Sequence, residues 1–225
     1  DLRIEAVIDS TNAAQRADAA SLASGSVLLA EAQTAGRGRR GRTWASPFAA
    51  GFLGSLFWRF ERGLADLGGL SLAVGIALAE AWRAQGLDVR VKWPNDLWID
   101  GRKLAGLLVE AGGEFHGPSH AVVGLGLNIA LPPAIRDALG QPVTDLATHL
   151  PDAMPRNVAV AICIDALFAA LQEFDLLRAV VRAVAHLPDV GKAPAFLVAV
   201  ADDAPLIVQP RGAQGVVILD VFVQL

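Results

Sequence analysis

The sequence predicts an α+β fold in which a mixed β-sheet carries helices packed on one side, followed by a small β domain. Hydrophobic residues make up 53% of the 225 residues, which is enough to fill a large core. Patterns typical of strands and of helices are interspersed without a strict βαβ order. After Pro188 the pattern changes to short apolar runs separated by Gly, Pro and Asp. We therefore predict a main domain at residues 1–187 and a small β domain at residues 188–225.

The predicted elements follow one another in the order of these patterns. Strands of the main domain are expected at residues 3–8, 26–32, 52–60, 89–93, 97–99, 103–110 and 119–129. Helices are expected from residue 11 to about 22, at 64–85 and at 157–185, and strands of the small domain at 195–200, 206–208 and 216–222. Two local signals support this order. Ser10 is a preferred N-cap type, and Asp100-Gly101 between two apolar runs is typical of a tight hairpin.

Composition excludes several classes of protein. The net charge of −4 is too small to favour nucleic acid or an acidic surface as a general partner, although arginines cluster between residues 37 and 42. The single cysteine, Cys163, rules out an internal disulfide and fits a reducing cytoplasm, where we expect the protein to act. No signal peptide is visible and no apolar run has the length of a membrane span, so no membrane partner is expected. The histidines lack the spacing of a zinc site.

A Gly/Arg-rich segment at residues 33–45 has no periodicity and is predicted to be a loop. Its Gly36-x-Gly38-x-x-Gly41 spacing matches the dinucleotide fingerprint, but that fingerprint needs a helix to open at the third glycine. Residues 43–47 read instead as extended chain, so the Rossmann interpretation is rejected. The glycines let backbone N–H groups approach a ligand, and the arginines can bind a carboxylate or phosphate through two hydrogen bonds. A solvated basic loop or a nucleic-acid patch is the alternative.

Polar residues end a predicted strand in the Lys92-Trp-Pro-Asn-Asp96 string. Pro94 stops the strand, so Asn95 and Asp96 are displayed beside a turn. Because Mg²⁺ often takes only one or two protein carboxylates, this pair can hold Mg²⁺ together with a phosphate. The alternative is that both residues are turn formers, which is the better supported interpretation for this string in isolation.

Lys103 interrupts the apolar character of the strand that follows. On a regular strand it shares a face with Ala105, Leu107 and Val109, which requires an anionic partner or a side chain that reaches solvent from the sheet edge. Two glycines at positions 124 and 126 of the next strand indicate close approach by a ligand or another backbone, or else tight packing against a helix.

Five strings, taken in order, resemble those of the catalytic domain of biotin–protein ligases. They lie at residues 9–12, 33–42, 92–96, 103–107 and 124–128, and the resemblance extends from about residue 3 to residue 174. It implies the fold that biotin and lipoate ligases share with class II synthetases, with an SH3-like C-terminal domain. It also implies an activity that uses ATP, biotin and Mg²⁺. Biotin is converted to biotinyl-5′-AMP and then transferred to a lysine of a biotin carboxyl carrier domain.

The resemblance implies roles for residues at the matching positions. The residues implied in biotin binding are Ser10, Thr11, Asn12, Gln33, Gly36, Arg37, Gly38, Arg39 and Lys103. The residues implied in ATP and adenylate binding are Arg37, Arg39, Arg40, Trp44, Asn95, Lys103 and Asn128. The implied catalytic residues are Arg39, Lys103 and Asp96, with Asp96 as the Mg²⁺ ligand. Joining a carboxylate to a polyanion needs cations that reduce their repulsion and stabilise the transition state, which agrees with this set.

Departures from the family pattern leave alternatives open. Regulatory members carry an N-terminal helix-turn-helix, whereas nine residues precede Ser10, so no DNA binding of that kind is expected from the chain as given. Whether a DNA-binding domain upstream of it has been removed stays open. The small domain resembles the family mainly at residues 214–220. A lipoate–protein ligase or octanoyltransferase of the related fold is the nearest rival function, and a nucleic-acid-binding module is a remote one. The acceptor carboxylase stays open, as does a homodimer built on an exposed strand edge.

Overall fold

A computed structural model describes the backbone of residues 1–150, 154–185, 196–199, 205–211 and 218–222, and the side chains of the first two ranges up to residue 176. The chain divides into two compact units, Asp1–Asp175 and Leu176–Leu225. The domain boundary predicted after residue 187 falls outside the described residues.

Seven strands of the first unit form one mixed sheet. They are β1 (Leu2–Ile8), β2 (Ser26–Gln33), β3 (Gly51–Phe60), β4 (Arg90–Lys92), β5 (Asp96–Ile99), β6 (Arg102–Gly113) and β7 (Ser119–Asn128). Their spatial order is β1-β2-β3-β7-β6-β5-β4. Strands β1 and β2 are parallel, and every other neighbouring pair is antiparallel. The predicted mixed sheet is confirmed, with all seven strands close to their expected positions.

Four α-helices accompany the sheet in the described part of the chain: α1 (Thr11–Ala17), α2 (Leu70–Arg83), α3 (Pro133–Ala138) and α4 (Arg156–Ala185). Helix α1 ends at Ala17 rather than near residue 22. The helix predicted at 64–85 is divided, because a 3₁₀ turn at Leu64–Leu67 precedes α2 and Gly69 between them has a left-handed φ of 86°. The short α3 and the 3₁₀ turns at Arg39–Gly41 and Leu146–Thr148 were not predicted, since three to six residues give no readable periodicity.

The two long helices cover one face of the sheet. Helix α2 buries Val74, Leu78 and Trp82 in the core, and α4 adds Leu167 and Leu171. Full burial of one such aliphatic side chain stabilises the fold by roughly 1.5–3 kcal/mol before the entropy cost is subtracted. Hydrophobic packing on this face therefore holds the sheet in place, and the opposite face of the sheet is free to carry other groups.

Helix α1 lies on the opposite face, so the prediction that helices pack on one side holds for α2 and α4 but not for α1. Successive strand residues point to opposite faces of a sheet. Leu56 of β3 belongs to the core with α2 and α4, whereas its neighbour Ser55 contacts Thr11 and Asn12 of α1. The second face thus carries a short polar helix in place of an apolar one.

Two helical segments of the described chain, Leu64–Arg83 and Arg156–Leu176, are long and apolar enough to cross a membrane by length and composition alone. The prediction that no run has this length is wrong by that criterion. One side of each segment supplies core residues such as Leu78 and Leu171, which are fully buried against the sheet. Packing against the sheet accounts for the apolar residues on that side of each segment.

The second unit contains a three-stranded antiparallel sheet. Its strands are β8 (Phe196–Ala199), β9 (Pro205–Arg211) and β10 (Ile218–Phe222), in the spatial order β10-β9-β8. The three short strands predicted after Pro188 are therefore present.

Candidate functional site

A cleft opens on the face of the sheet that carries α1. Helix α1, the loop after β2, the turn between β4 and β5, and strands β6 and β7 all contribute to its lining. The cleft brings together eleven residues singled out from the sequence: Ser10, Thr11, Asn12, Gln33, Arg37, Gly38, Arg39, Trp44, Asn95, Asp96 and Lys103. Residues more than 90 positions apart in the chain thus line one cavity.

Three residues singled out from the sequence lie outside this lining. Gly36 is buried at the base of the loop, where an added Cβ would lie 2.7 Å from the carbonyl oxygen of Trp44. Arg40 lies at the exposed tip of the loop with a left-handed φ of 57°. Asn128 is buried and donates a hydrogen bond to the carbonyl oxygen of Thr144 at 2.9 Å. It lines a smaller neighbouring cavity, of which Trp44 is also a wall.

The arginine-rich loop folds back on itself as a narrow hairpin. Arg37 and Thr43 form an antiparallel bridge, and Gly38 N–H donates to the carbonyl oxygen of Arg42 at 2.6 Å. A 3₁₀ turn at Arg39–Gly41 closes the tip, and no helix begins there, which agrees with rejecting the Rossmann interpretation. The glycines of this loop therefore permit a compact turn that directs arginine side chains toward the cleft.

Helix α1 forms a rigid polar wall. Ser10 is the N-cap residue and accepts a hydrogen bond from Ala13 N–H at 3.4 Å. Thr11 N–H donates to Gln33 Oε1 at 2.9 Å. Ser10, Thr11 and Asn12 are each no more than 4% exposed. Capping and ligand binding are therefore compatible roles for this stretch, because the same polar groups begin the helix and face the cleft.

Lys103 forms an ion pair with Asp96, with 2.9 Å between Nζ and Oδ1, and both side chains are mostly buried. The prediction that Lys103 shares a face with Ala105 and Leu107 is wrong. The β5–β6 register shifts between Leu97 and Trp98, so the regular alternation is broken. The Lys103 side chain therefore lies on the cleft face, where it has the anionic partner that burial requires.

Asn95 connects the arginine loop to the sheet. Its Oδ1 accepts a hydrogen bond from Arg39 Nη1 at 3.2 Å, and its Nδ2 donates to the carbonyl oxygen of Leu107 at 2.7 Å. Asp96, the next residue, is the carboxylate that lines the cleft. Among the described residues there is no group of three or more His, Cys, Asp or Glu that could hold a metal ion by protein ligands alone.

Three glycines explain why side chains can lie directly on the sheet. Gly106 and Gly126 are paired across β6 and β7, and the Trp44 indole covers both, so that a Cβ at Gly126 would overlap the ring. A Cβ at Gly106 would lie 3.1 Å from Trp44 and 3.2 Å from Lys103 Nζ. A Cβ at Gly124 would overlap the Asn12 amide. At Gly124 the alternative, tight packing against a helix, is what the structure shows, because the neighbour is Asn12 of α1. At Gly126 the neighbour is the Trp44 side chain, which is neither a ligand nor a backbone.

Several residues of the lining were missed from the sequence, including Arg42, Thr43, Gly54, Leu108 and Gln141. Gln141 comes from the segment after α3, which pairs with the backbone of Lys103. Lys103 N–H donates to Pro142 O at 3.0 Å, and Thr144 N–H donates to Lys103 O at 2.9 Å. No local pattern signals this pairing. Arg42 had a weak signal, since it belongs to the arginine cluster.

The segment beside Lys103 is held by a buried carboxylate. Burial alone would raise the pKa of Asp145, but hydrogen bonds from Thr148, from the Leu131 backbone N–H and from Arg136 outweigh this and lower the pKa. Asp145 Oδ2 accepts from Leu131 N–H, and Oδ1 from Thr148 N–H, each at 2.9 Å. An ionised Asp145 therefore orders the loop that carries Gln141.

The charge of the cleft is predominantly positive. Arg37, Arg39, Arg42 and Lys103 line it, against the single carboxylate of Asp96. Cys163 is completely buried in the core, and burial raises the pKa of its thiol, so it supplies no thiolate. Fold and cleft together place a polar wall opposite a cationic loop, an arrangement whose charge is complementary to an anionic ligand.

The sequence matches the model of the Biotin/lipoate A/B protein ligase family over residues 4–128, which is more than half of the chain. The chain therefore belongs to the Biotin/lipoate A/B protein ligase family, as the five motifs indicate.

Curated relatives and solved structures agree with this assignment. The chain is 45% identical over 170 residues to the bifunctional ligase/repressor BirA of Escherichia coli (strain K12), covering 75% of this chain and 53% of that protein. It is 42% identical over 125 residues to the biotin–[acetyl-CoA-carboxylase] ligase of Paracoccus denitrificans, covering 54% of this chain and 52% of that one. The chain thus spans about half the length of these curated relatives.

Among solved structures, the chain is similar to the biotin protein ligase from Aquifex aeolicus in complex with biotin and ATP. The two share 26% sequence identity with a TM-score of 0.61, over 78% of this chain and 72% of that one. The biotin protein ligase from Leishmania major in complex with biotinyl-5-AMP has the same fold, with a TM-score of 0.58 and 22% identity.

Proposed function

We propose that this chain activates biotin with ATP and transfers it to a lysine of a biotin carboxyl carrier domain. A biotin carboxylate oxygen attacks the α-phosphorus of ATP, the bond to the β-phosphate oxygen breaks, and pyrophosphate leaves. The acceptor lysine amine then attacks the acyl carbon of biotinyl-5′-AMP. The amide bond forms, AMP leaves with the electron pair of the anhydride bond, and the amine loses its proton to solvent.

The observation that carries this proposal is the convergence of Arg37, Arg39 and Lys103 on one cleft. A carboxylate and a triphosphate repel each other, so their reaction needs fixed positive charge where the pentacovalent transition state develops. Lys103 is held on the cleft face by Asp96 and by backbone pairing on both sides of its peptide. We assign Lys103 and Arg39 to the reacting carboxylate and the α-phosphate.

The α1 wall suits the polar ring of biotin. Ser10, Thr11 and Gln33 present hydroxyl and amide groups to the cleft, and these can pair with the ring N–H and C=O groups. Asn12 lies behind them, and Gly36 and Gly38 let the loop backbone pass close by. The ring of lipoate is a dithiolane without N–H or C=O groups, so the same wall would leave buried polar groups unpaired.

The neighbouring cavity suits the adenine of ATP. Trp44 separates it from the main cleft and offers an aromatic surface, and buried Asn128 lines its floor. Asn95 also lines the cleft, and its side chain accepts a hydrogen bond from Arg39. Arg40, exposed at the loop tip, would reach the nucleotide when the loop moves toward it.

A Mg²⁺ ion fits this cleft only if its ligands come from both the protein and the substrate. Asp96 is a single carboxylate with Lys103 beside it, and Mg²⁺ commonly takes one protein carboxylate, several waters and the substrate phosphates. When bound, Mg²⁺ would supply further positive charge at the phosphates. Asp96 would hold it, and Lys103 would then be free to approach the carboxylate.

The remaining parts of the proposal concern partners and place. The relative from Paracoccus denitrificans is named for acetyl-CoA carboxylase, so we propose a carrier domain of a biotin-dependent carboxylase as the acceptor. We propose that residues 188–225 form an SH3-like domain, and the three-stranded antiparallel sheet supports this. We also propose that the protein forms a homodimer and acts in the cytoplasm.

An ATP–pyrophosphate exchange assay with biotin, lipoate or octanoate tests the function. We expect Mg²⁺-dependent exchange with biotin alone, followed by a mass increase of a carrier domain equal to one biotinyl group. Exchange with lipoate alone would assign the chain to the lipoate branch of the family. Salt-sensitive DNA or RNA binding with no exchange would favour the nucleic-acid module instead.

A further inference from the structure

A chain of hydrogen bonds runs behind the polar wall and ends on a residue that the proposed function leaves unused. Glu110 Oε2 accepts from Asn12 Nδ2 at 3.0 Å. Asn12 Oδ1 lies 2.5 Å from Ser55 Oγ, which lies 2.7 Å from Thr11 Oγ1. Thr11 N–H in turn donates to Gln33 Oε1. Glu110 is therefore linked, step by step, to two groups that line the cleft.

The Asn12 amide has one satisfactory orientation. Its Nδ2 carries two protons, and these face two acceptors, the Glu110 carboxylate and the carbonyl oxygen of Leu108, each at 3.0 Å. A flipped amide would direct Oδ1 at both acceptors. Asn12 is 4% exposed, so water cannot relieve that repulsion. Oδ1 must therefore face Ser55.

This orientation fixes the direction of the remaining hydrogen bonds. Ser55 has one hydroxyl proton, and it must go to Asn12 Oδ1, which can only accept. The 2.7 Å contact between Ser55 Oγ and Thr11 Oγ1 also needs a proton, so Thr11 must donate it there in preference to Gln33 Oε1, which lies farther away at 3.3 Å. Thr11 Oγ1 then has no proton for the cleft and offers lone pairs there.

The Gln33 amide is fixed by the backbone of Thr11 instead. Gln33 Oε1 accepts from Thr11 N–H at 2.9 Å, which leaves the Nε2 end of the amide to donate. The wall consequently presents an acceptor at Thr11 and a donor at Gln33. A ligand group with an N–H beside a C=O, such as the cyclic urea of biotin, matches this pattern, whereas the reverse pattern does not.

We propose that Glu110 is a positioning residue that sets the hydrogen-bond polarity of the Thr11 hydroxyl through Asn12 and Ser55. This inference rests on the proposed function, because the matching ligand is the biotin ring. Glu110 itself does not line the cleft. Its ion pair with Arg16 at 2.6 Å lies at the surface, where Arg16 is half exposed, so it contributes little to the effect.

The test compares Glu110→Ala with Glu110→Gln and with Arg16→Ala. In Glu110→Ala one buried Asn12 proton loses its partner, and we expect the KM for biotin to rise about tenfold. The kcat and the KM for ATP should change less than about twofold, since Lys103 and the loop are untouched. The Gln variant should restore the KM because its Oε1 can accept from Asn12. Arg16→Ala should behave as the wild type.

A second readout separates polarity from simple loosening of the fold. In 2-iminobiotin a protonated imino group replaces the urea oxygen and faces the Gln33 donor, so the wild type should discriminate strongly against it. Gln33 is fixed by the Thr11 backbone N–H and not by the chain from Glu110, so Glu110→Ala should keep this discrimination, whereas a loosened wall would lose it. If Glu110→Ala does not fold at the assay temperature, Ser55→Ala interrupts the same chain at its middle and should show the same rise in the KM for biotin.

The outcomes are distinct. No exchange with biotin by the wild-type protein overturns the proposed function itself. Exchange by the wild type together with an unchanged KM for biotin in Glu110→Ala overturns this inference alone. Equal defects in the Ala, Gln and Arg16→Ala variants, or a lower melting temperature with loss of discrimination against 2-iminobiotin, would reduce Glu110 to a structural role and likewise overturn it.

Discussion

The two sides of the cleft are built differently. On the α1 side, Ser10, Thr11 and Asn12 are buried and tied to the sheet by hydrogen bonds that leave little freedom. On the loop side, most residues between positions 37 and 43 are exposed, and Arg39 reaches across the cleft to Asn95. The wall is held in place by hydrogen bonds, while the loop presents exposed positive charge. The first property favours selectivity, and the second suits a segment that covers a reactive intermediate.

Removing the buried positive charge of the sheet between these two sides should have the largest effect. We expect Lys103→Ala to lower the rate of biotin adenylation about 100-fold or more, because a buried cation aimed at the reacting groups is lost. Pyrophosphate release measures it. Lys92→Ala is the matched control, since Lys92 lies on Trp98 outside the cleft, 3.7 Å from the ring centroid. Normal pyrophosphate release by the Lys103 variant would contradict the assignment.

Removing charge from the exposed loop should affect retention of biotinyl-5′-AMP more than folding. We expect Arg39→Ala to release biotinyl-5′-AMP about 30-fold faster, or about 2 kcal/mol, while the melting temperature changes little, because the side chain is exposed. The lifetime of the bound intermediate after rapid dilution measures it. Arg90→Ala, at another exposed arginine outside the cleft, is the control. An intermediate that persists as long as in the wild type would refute the loop assignment.

The rigidity of the α1 wall can be tested at Gly124, which lies against Asn12. A Cβ at Gly124 would overlap the Asn12 amide, so Gly124→Ala should displace α1 and destabilise the protein by about 2 kcal/mol. Chemical denaturation measures the stability, and the KM for biotin should rise with it. Gly68→Ala is the comparison, because no atom lies within 4 Å of its added Cβ. Equal stabilities of the two variants would show that α1 can shift to accommodate the added Cβ at little cost.

The smallest effect should come from the loop that carries Gln141. The lowered pKa of Asp145 means that its ionised form stabilises the fold above the unfolded pKa of about 3.9, and that this contribution is lost as the pH falls through the folded value. Asp145→Asn should therefore cost about 1 kcal/mol at pH 7, and less below about pH 4. Melting curves over this pH range measure it. A deficit that stays constant with pH would contradict an ionised Asp145.

Most of the sheet could be predicted because each strand has its own apolar pattern and its own turn signals. The Asp100-Gly101 hairpin is an example, since both residues have positive φ, 48° and 71°. The motif residues were found for a related reason, since the arginine loop and the strand-end residues Asn95 and Asp96 stand out locally. Lys103 was found as well, but its face was predicted wrongly, because a register shift depends on the neighbouring strand and leaves no trace in the strand that carries it.

The sequence alone determined the kind of chemistry available to this protein: a cluster of arginines, a lysine within an apolar strand, and polar residues at the start of a helix. The tertiary structure decided what these groups face. Gln141 lines the cleft, and Ser55 supports it from behind, only because distant segments pair with β6 and α1. The glycines of β7 likewise contact side chains from elsewhere in the chain. The physical reason is that charge and hydrogen-bonding capacity belong to single residues, whereas orientation and polarity arise from contacts between segments far apart in the chain.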